Sequence, residues 1–365
     1  MRIICTQENL NNALLIVNHL ATKNANLPIL SNVLISAKEN AISFSTTNLE
    51  MGIKAQIRGK VEKDGAYTVP ARLLADYIGL LPKENVTLEI EEDGLRVSGK
   101  NSQTLIKGMP AEDYPLIPDV SEEKQIMIKG KEMKELISQV SFAVSLDDNR
   151  PEISGALFSF SENDCIIAAT DSYRLAEKRI KVKNEITKKL IIPLKTLQEL
   201  NRIIVSDDKE IQIFLSENQI LFSFDGIKLV SRLIDGTYPD YEQIIPTEQK
   251  IIVELRNDQL IKAIKSAALF CKPGINDVKL SFIASKNELV VVSTNNSIGE
   301  NITTIEAQVT GGDIDIVFNY RYLLDGLNNI NSERILIKLN NQGAPGMFTP
   351  ADNPDYLYIV MPIRQ

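Results

Sequence analysis

His19 is the only histidine in this chain of 365 residues, and it limits the acid–base and metal chemistry that the protein can perform. It lies in a segment whose apolar residues recur at helical spacing, and no other histidine or cysteine stands at metal-ligand spacing from it. Zinc sites need several such ligands, and Ser-His-Asp catalysis needs a histidine beside a nucleophile. We therefore interpret His19 as a structural or surface residue.

The three cysteines, Cys5, Cys165 and Cys271, are far apart in the sequence and form no C-x-x-C pair for zinc or redox chemistry. An odd and sparse cysteine count is typical of a protein in a reducing compartment. We expect all three to be small buried apolar residues.

Two pairs of adjacent carboxylates, Asp147-Asp148 and Asp207-Asp208, could contribute to a divalent metal site. Such sites usually recruit further oxygen ligands, and a chain with 48 acidic residues contains acidic pairs in solvated loops without any special role. A metal-dependent enzyme acting on nucleic acid through Asp147, Asp148 or Asp207 stays as an alternative. No phosphate-binding G-x-x-x-x-G-K-[ST] and no G-x-G-x-x-G occurs, so we expect no catalysis, metal or cofactor.

Composition narrows the class of protein further. Hydrophobic residues make up 44% and charged residues 24%, which is ordinary for a globular protein. The sequence contains no run of about 18 apolar residues, so we expect no membrane span. The N-terminus becomes polar too soon for a signal peptide. The net charge of −8 argues, taken alone, against a nucleic-acid-binding protein.

The chain contains three copies of one unit, which is visible as a long sequence period. Helical patterns begin near Gln7, Lys131 and Asp258, at intervals of 124 and 127 residues. Apolar segments that end in a Thr-Asn or Thr-Asp corner recur at the same offset, with their threonines at 47, 170 and 294. Asn and Asp suit such corners because their side chains bond the nearby backbone.

A second helix recurs in each copy and completes the unit. It is predicted over 71–81, 193–204 and 319–330, and the first two copies have a proline at or just before the start. Alternating segments such as 86–90 and 211–215 follow and predict half-buried strands. We predict an α+β fold of three repeated domains, each with two helices packed on antiparallel sheets. Joints near 115–123 and 246–250 place the domains at 1–120, 121–247 and 248–365.

Five stretches resemble one protein family in the same order along the chain. They are Asn26-Leu27-Pro28-Ile29-Leu30-Ser31-Asn32, Thr47-Asn48-Leu49-Glu50-Met51, Thr170-Asp171-Ser172-Tyr173-Arg174-Leu175, Asp235-Gly236-Thr237-Tyr238-Pro239-Asp240-Tyr241 and the end, Tyr358-Ile359-Val360-Met361-Pro362-Ile363-Arg364-Gln365. The ordered set resembles the bacterial DNA polymerase III beta subunits, or DNA sliding clamps. The resemblance runs from residue 26 to residue 365.

The resemblance implies a clamp-fold chain that forms a head-to-tail homodimer closed into a ring. Such a ring is a non-catalytic processivity factor in the bacterial cytoplasm, which encircles duplex DNA without sequence specificity. The implied partners are the DNA polymerase, the clamp loader and other proteins with clamp-binding peptides. The implied subunit contact joins Leu269 and Phe270 to a strand around 103–107, through Leu105 and Ile106. A three-domain interaction scaffold that never encloses DNA is the alternative, and it predicts a monomer.

The charge distribution is compatible with DNA in the ring. The six predicted helical segments carry nine basic and seven acidic residues, a net charge of +2, which leaves −10 for the rest of the chain. A mildly basic lining attracts phosphates without reading bases. The predicted DNA-binding residues are Lys23, Arg72, Lys131, Lys134, Lys195, Arg202, Lys262, Lys265 and Arg321, with Lys23, Arg72, Lys195 and Arg202 touching phosphates.

By resemblance, each chain also has one hydrophobic pocket for short apolar-tipped peptides, between its second and third domains. Tyr173 stands where the family often has histidine and Gln243 where it can have arginine, so peptide preference is open. Ile153, Leu175 and Val360 are alternatively plain core residues. The predicted pocket residues are Ile153, Thr170, Ser172, Tyr173, Arg174, Leu175, Pro239, Ile244, Pro345, Val360, Met361, Pro362, Ile363 and Arg364.

Overall fold

The computed structural model describes residues 1–22, 26–123, 125–147, 149–272 and 274–364. Three rounds of one element order follow each other along the chain: a strand, a helix, several strands, a second helix and three more strands. All strand pairings among the described residues are antiparallel, so the predicted α+β repeat is confirmed.

The first repeat begins at the second residue. Thr6 caps its first helix by accepting a hydrogen bond from the Asn9 backbone N–H at 3.3 Å. Leu10, Leu14 and Val17 recur at helical spacing and are fully buried. Its helices are α1 (Gln7–Val17) and α2 (Ala71–Leu80), and its strands are β1 (Arg2–Thr6), β2 (Asn32–Lys38), β3 (Ala41–Thr47), β4 (Met51–Ile57), β5 (Lys60–Lys63), β6 (Gly65–Pro70), β7 (Asn85–Glu91), β8 (Gly94–Ser98) and β9 (Gln103–Ile106).

The second and third repeats follow the same order. The second has helices α3 (Gly130–Val140) and α4 (Leu194–Ile203), with strands β10 (Gln125–Lys129), β11 (Gly155–Phe160), β12 (Asp164–Thr170), β13 (Arg174–Lys181), β14 (Lys188–Pro193), β15 (Glu210–Leu215), β16 (Gln219–Phe224) and β17 (Ile227–Arg232). The third has helices α5 (Asn257–Ala268) and α6 (Tyr320–Leu327), with strands β18 (Ile251–Arg256), β19 (Asp277–Ile283), β20 (Glu288–Asn295), β21 (Gly299–Glu306), β22 (Gln308–Thr310), β23 (Ile314–Asn319), β24 (Arg334–Leu339), β25 (Gly346–Pro350) and β26 (Tyr356–Val360).

Several predicted bounds differ from the structure. The first helix ends at Val17 and continues only as a 3₁₀ turn over Asn18–Leu20, so the predicted helix over 7–23 is too long. The segments 115–123 and 246–250, where joints between domains were predicted, contain neither helix nor strand. No helix in the described part of the chain is long and apolar enough to cross a membrane.

One compact unit comprises residues 1–131 and 202–233. It contains a five-stranded sheet in the order β5-β1-β7-β8-β9 and an eight-stranded sheet in the order β10-β15-β16-β17-β4-β3-β2-β6. In the larger sheet β4 of the first repeat pairs with β17 of the second, with Gly52 opposite Val230.

A second compact unit comprises residues 132–201 and 234–365. It contains a nine-stranded sheet in the order β14-β11-β12-β13-β26-β25-β24-β18-β22 and a four-stranded sheet in the order β21-β20-β19-β23. Here β13 of the second repeat pairs with β26 of the third, with Leu175 opposite Ile359. Each large sheet therefore continues from one repeat into the next.

The polar corner predicted after one strand of each repeat is present in all three copies. The Asn48 carboxamide accepts from the backbone N–H groups of the second and third residues after it, and Asp171 does the same. Asn295 accepts from the backbone N–H of Ser297 at 3.0 Å. Leu49 and Ser172, at equivalent positions, both have positive φ, at 75° and 78°. The corner at Thr170 fixes the direction in which the side chains after it project.

Candidate functional site

The residues predicted to form the peptide pocket lie in and around a hydrophobic cluster in the second unit, which we call the Tyr241 cluster. It packs strands β11, β12 and β13 against β25 and β26, and against the 3₁₀ turn over Tyr241–Ile244. Tyr238, Ile245 and Leu357 pack against its edge. The cluster consists of Leu157, Ala168, Leu175, Tyr241, Met347 and Ile359.

The corner at Thr170 stands next to this cluster and is held by its own hydrogen bonds. The Thr170 hydroxyl donates to the Arg174 carbonyl at 2.6 Å and accepts from the Ser172 N–H at 3.1 Å. The Met361 N–H donates to the Tyr173 carbonyl at 2.9 Å, which ties the C-terminal segment to the corner. Residues 170–175 and 360–361, far apart in sequence, are thereby brought together.

Arg174 contacts two carboxylates and two aromatic rings in this region. Its guanidinium donates to Asp171 at 2.9 Å and to Asp325 on α6 at 2.5 Å. It also lies 4.6 Å from the centroid of the Tyr322 ring and 5.6 Å from that of Phe142. Burial alone would lower the pKa of Arg174, but the neighbouring Tyr358, Asp325 and Asp171 outweigh it and raise that pKa. Arg174 therefore stays charged.

An aromatic pair extends from Arg174 towards the surface. The Tyr173 and Tyr322 rings stack with their centroids 6.3 Å apart and an interplanar angle of 23°. Tyr173 is 62% exposed, so its ring presents a flat apolar face to solvent beside Met361, which is half-buried. This face and the exposed Ile244 provide apolar surface at the edge of the Tyr241 cluster.

The two tyrosines of the 235–241 segment have a structural role as well. The Tyr241 hydroxyl donates to Glu177 at 2.6 Å, and burial raises the pKa of both Tyr238 and Tyr241 well above the usual value. Both rings therefore remain neutral, and they meet edge to face with centroids 6.3 Å apart.

The predicted pocket residues do not all reach the surface. Ile153, Thr170, Leu175 and Val360 are buried, so they support the surface from below. The exposed members are Ser172, Tyr173, Ile244 and Arg364, and the half-buried members are Arg174, Pro239, Pro345, Met361, Pro362 and Ile363.

Several residues of this region were missed from sequence. Tyr238 and Tyr241 stood in a quoted motif but were not assigned to the pocket. Met347, Tyr322 and Asp325 carried no sequence signal, because their contacts join the second and third repeats across more than a hundred residues.

The predicted DNA-binding residues have different environments. Lys134 is half-buried and Lys23 lies outside the described residues. Arg72 and Lys262 each approach an aspartate one helical turn away, Asp76 at 3.8 Å and Asp258 at 3.5 Å, and such exposed pairs are weak. The remaining exposed cations are Lys131, Lys195, Lys265, Arg321 and Arg202.

Arg202 differs from the other cations because its guanidinium caps a helix. It donates to the Leu15 carbonyl at 3.2 Å and to the Ile16 carbonyl at 2.5 Å. These carbonyls belong to the last turn of α1, where carbonyls lack partners within the helix and a cation is stabilising. Arg202 therefore has a structural role that the sequence did not predict.

The predicted subunit-contact residues also differ in their exposure to solvent. Leu269 is 74% exposed just beyond α5, and Phe270 and Leu105 are half-buried. Ile106 is buried within its own domain, so its side chain is not part of the surface. Among the described residues, strand β9 pairs with β8 alone and β21 with β20 alone, so each is the edge of its sheet.

The three cysteines differ in their burial. Cys5 and Cys165 are buried, and burial raises the pKa of each thiol to about 12, whereas Cys271 is half-buried and differs from expectation. The described residues contain no group of three His, Cys, Asp or Glu side chains that could hold a metal ion, and Asp148 lies outside them.

Comparison with known proteins covers the whole chain. The N-terminal, central and C-terminal domains of DNA polymerase III beta subunits match residues 1–118, 127–240 and 242–364. A beta sliding clamp of Staphylococcus epidermidis is 34% identical over 351 residues, covering 93% of this chain and 92% of that protein.

Solved structures agree with the sequence matches. A DNA polymerase sliding clamp from Bacillus subtilis superposes with a TM-score of 0.96 at 26% identity, covering 100% of this chain and 99% of that one. A DNA polymerase III subunit beta from Pseudomonas aeruginosa superposes with a TM-score of 0.94 at 28% identity, covering 100% of both chains.

Proposed function

The chain belongs to the family of DNA polymerase III beta subunits, the bacterial sliding clamps, and on that premise we propose which of its surfaces meet DNA, partner peptides and a second copy. It is a non-catalytic processivity factor with the three-domain clamp fold, whose ring is made by dimerisation. Sliding clamps bind DNA and interact with polymerases and the clamp loader. The scaffold alternative is not favoured. We place the protein in the bacterial cytoplasm, where the chromosome is replicated, with domains at 1–120, 121–247 and 248–365.

For DNA, the exposed helix cations Arg72, Lys131, Lys195, Lys265 and Arg321 are the stronger candidates. Each is exposed to solvent, and the whole chain is acidic, so phosphates are attracted to these helices and repelled elsewhere. Retention comes from closure of the ring, so individual contacts can remain weak enough for sliding. Lys23, Lys134, Lys262 and Arg202 complete the proposed set, although Arg202 already caps α1.

For the subunit contact, we propose that Leu269 and Phe270 meet Leu105 of the partner, with the edge strands β9 and β21 as the neighbouring surfaces. Edge strands offer unpaired N–H and C=O groups that a second chain can satisfy. Exposed Glu300 and Glu306 on β21 complement Lys107, which follows β9. Ile106 supports β9 from the core side.

For partner peptides, we propose the surface over the Tyr241 cluster as the binding site. The corner at Thr170 and the C-terminal segment at Met361 lie side by side, with exposed apolar surface from Tyr173 and Ile244 around them. Methionine suits a surface that accepts several ligands, because it is flexible and polarizable. A short apolar-tipped peptide would bury these side chains.

The test is a variant with Met361→Ala and deletion of 363–365. We expect loss of binding to a fluorescent, apolar-tipped clamp-binding peptide of the polymerase, with the thermal unfolding temperature nearly unchanged. The deletion removes one backbone hydrogen bond, from Ile363 N–H to the Val317 carbonyl at 2.8 Å, which contributes about 1 kcal/mol. Exposed Asp352→Asn is the matched control and retains binding. Unchanged affinity in the deletion variant would remove the peptide site from this surface.

A further inference from the structure

The junction of the first and second repeats contains a pocket of about 310 Å³, which we call the Ile117 pocket. It lies within the first compact unit, between strands β2, β3, β4, β16 and β17 and the joint that follows Tyr114. Its apolar lining includes Leu34, Tyr114, Ile117, Leu221 and Val230.

This pocket occupies the position of the Tyr241 cluster one repeat earlier. Leu34 pairs with Ser45 across two strands, as Leu157 pairs with Ala168, and both offsets are 123 residues. The Tyr114-Pro115 and Tyr238-Pro239 dipeptides are 124 residues apart.

The strands on the opposite side of the Ile117 pocket also have an equivalent in the Tyr241 cluster. Leu221 pairs with Val230 in the Ile117 pocket, as Met347 pairs with Ile359 in the Tyr241 cluster. The chain therefore builds the same arrangement of strands and joint twice.

The first difference between the two copies is the residue at one equivalent strand position and the side chain that packs against it. Gly52 stands where Leu175 stands in the later copy, and each lies opposite the equivalent residue of the neighbouring strand. A Cβ on Gly52 would lie 2.9 Å from Ile117 Cγ1, so the joint lies directly against the strand backbone. Ile117 thereby occupies the space that the Leu175 side chain takes in the later copy, and the pocket beside it suits one aliphatic side chain.

The second difference is charge. Lys54 lies directly opposite Lys228 across β4 and β17, and both line the Ile117 pocket. The equivalent pair in the later copy is Glu177 opposite Leu357, so a lysine replaces a glutamate. Like charges directly opposite each other in a sheet are destabilising.

That repulsion is only partly relieved within the chain. Glu122 accepts a hydrogen bond from Lys228, whereas Lys54 forms no ion pair with any residue that the structure describes. A carboxylate from another molecule would complete the charge pattern at Lys54. Leu116, which is 95% exposed and also lines the pocket, adds apolar surface for an occupant to cover.

We propose that the Ile117 pocket is a second peptide-binding site, whose occupant is a short extended segment of a partner protein with one aliphatic side chain next to carboxylates. The proposal extends the proposed peptide function of the Tyr241 cluster, since it rests on the repeated construction. The two sites then sort partner peptides by charge, because Lys54 favours carboxylates and Glu177 does not.

The test uses the full-length dimer with labelled methyl groups and two probe peptides, acetyl-Glu-Leu-Asp-amide and the uncharged acetyl-Gln-Leu-Asn-amide. We expect the acidic peptide to shift the NMR signals of Leu34, Leu221 and Val230, and to bind about tenfold more tightly than the uncharged one. Lys54→Glu is expected to remove that preference. Arg58→Glu, an equal charge change at an exposed residue outside the lining, keeps it.

Met361→Ala separates the two proposals, since Met361 belongs to the proposed peptide surface over the Tyr241 cluster and does not line the Ile117 pocket. Shifts at Leu34 that persist in Met361→Ala support the second site even if the Tyr241 cluster binds no peptide. Shifts confined to Met347 and Ile359, equal affinity for both peptides, or unchanged binding by a folded Lys54→Glu variant would each overturn the proposal.

Discussion

The Arg174 guanidinium donates to the Asp325 carboxylate at 2.5 Å, and this ion pair joins the second repeat to the third. Arg174 is 11% exposed in its side chain, whereas Asp325 is 48% exposed, so solvent screens one partner. The same guanidinium lies over Tyr322, which stacks with Tyr173 at the proposed peptide surface. The pair therefore couples the position of that surface to the packing of α6.

Asp325→Asn is expected to weaken peptide binding and to lower the free energy of unfolding by about 1 kcal/mol, because a charge-assisted hydrogen bond becomes a neutral one. A double-mutant cycle with Arg174→Lys measures the coupling by urea unfolding and peptide anisotropy. Asp313→Asn is the control, since that carboxylate only accepts from the Ala284 N–H on an exposed surface. A coupling energy near zero would show that the pair does not position the surface.

The sequence predicted the three repeats and their helices, because the first helix of each repeat has an apolar periodicity and the second recurs at the same offset. It missed the strands that open the repeats, Arg2–Thr6, Gln125–Lys129 and Ile251–Arg256, since five or six residues of alternation are too short to identify. It also missed the pairing of β4 with β17 and of β13 with β26. Such pairings depend on tertiary contacts rather than on local pattern.

The predicted sites also depend on tertiary contacts that local sequence pattern does not reveal. The Thr170 corner and the Met361 segment were identified by resemblance, and the structure brings them together. Burial could not be read from residue type: Ile106 was predicted as a contact residue although it is buried, and a core role for Leu175, which is also buried, had stayed open as an alternative. The capping of α1 by Arg202 depends on the fold, because it joins side chain and carbonyls more than 180 residues apart.

Charge reversal is expected to separate DNA contact from structure. Arg72→Glu with Lys195→Glu should weaken DNA binding and reduce its salt dependence, with unfolding unchanged, because both side chains are exposed. Arg202→Glu should weaken DNA binding and, in addition, lower the free energy of unfolding by about 1–2 kcal/mol, because the cap on α1 is lost. If reversal of Lys23, Arg72, Lys195 and Arg202 together left loading and DNA contact unchanged, the phosphate assignment would be wrong.

Substitutions at the proposed subunit contact should have two distinct effects. Leu269→Asp with Leu105→Asp is expected to give folded monomers in sedimentation, because a desolvated carboxylate opposes an apolar contact. Ile106→Ala is expected to cost about 2–5 kcal/mol of domain stability, because it leaves a cavity behind β9. A Leu269→Asp, Leu105→Asp protein that stays dimeric at micromolar concentration would exclude this face.

Alkaline pH should destabilise the fold. Burial raises the pKa of Cys5, Cys165 and Tyr114 to about 12, whereas the unfolded chain loses these protons nearer pH 9–10. The stabilisation is therefore complete below about pH 9 and is lost as pH rises towards 12, by about 1.4 kcal/mol per pH unit for each group. Urea midpoints across this range should fall, and less steeply in Cys165→Ala. A flat profile would contradict the assigned burial of these groups.

The most direct test of a closed ring is retention on circular DNA. The protein is loaded by a clamp loader onto a nicked circular plasmid, and complexes are isolated at a salt concentration that removes direct phosphate binding. We predict that the clamp stays on the circle and is released when a restriction enzyme linearises the plasmid. Equal retention on circular and linear DNA, or no retention on either, would contradict a sliding ring.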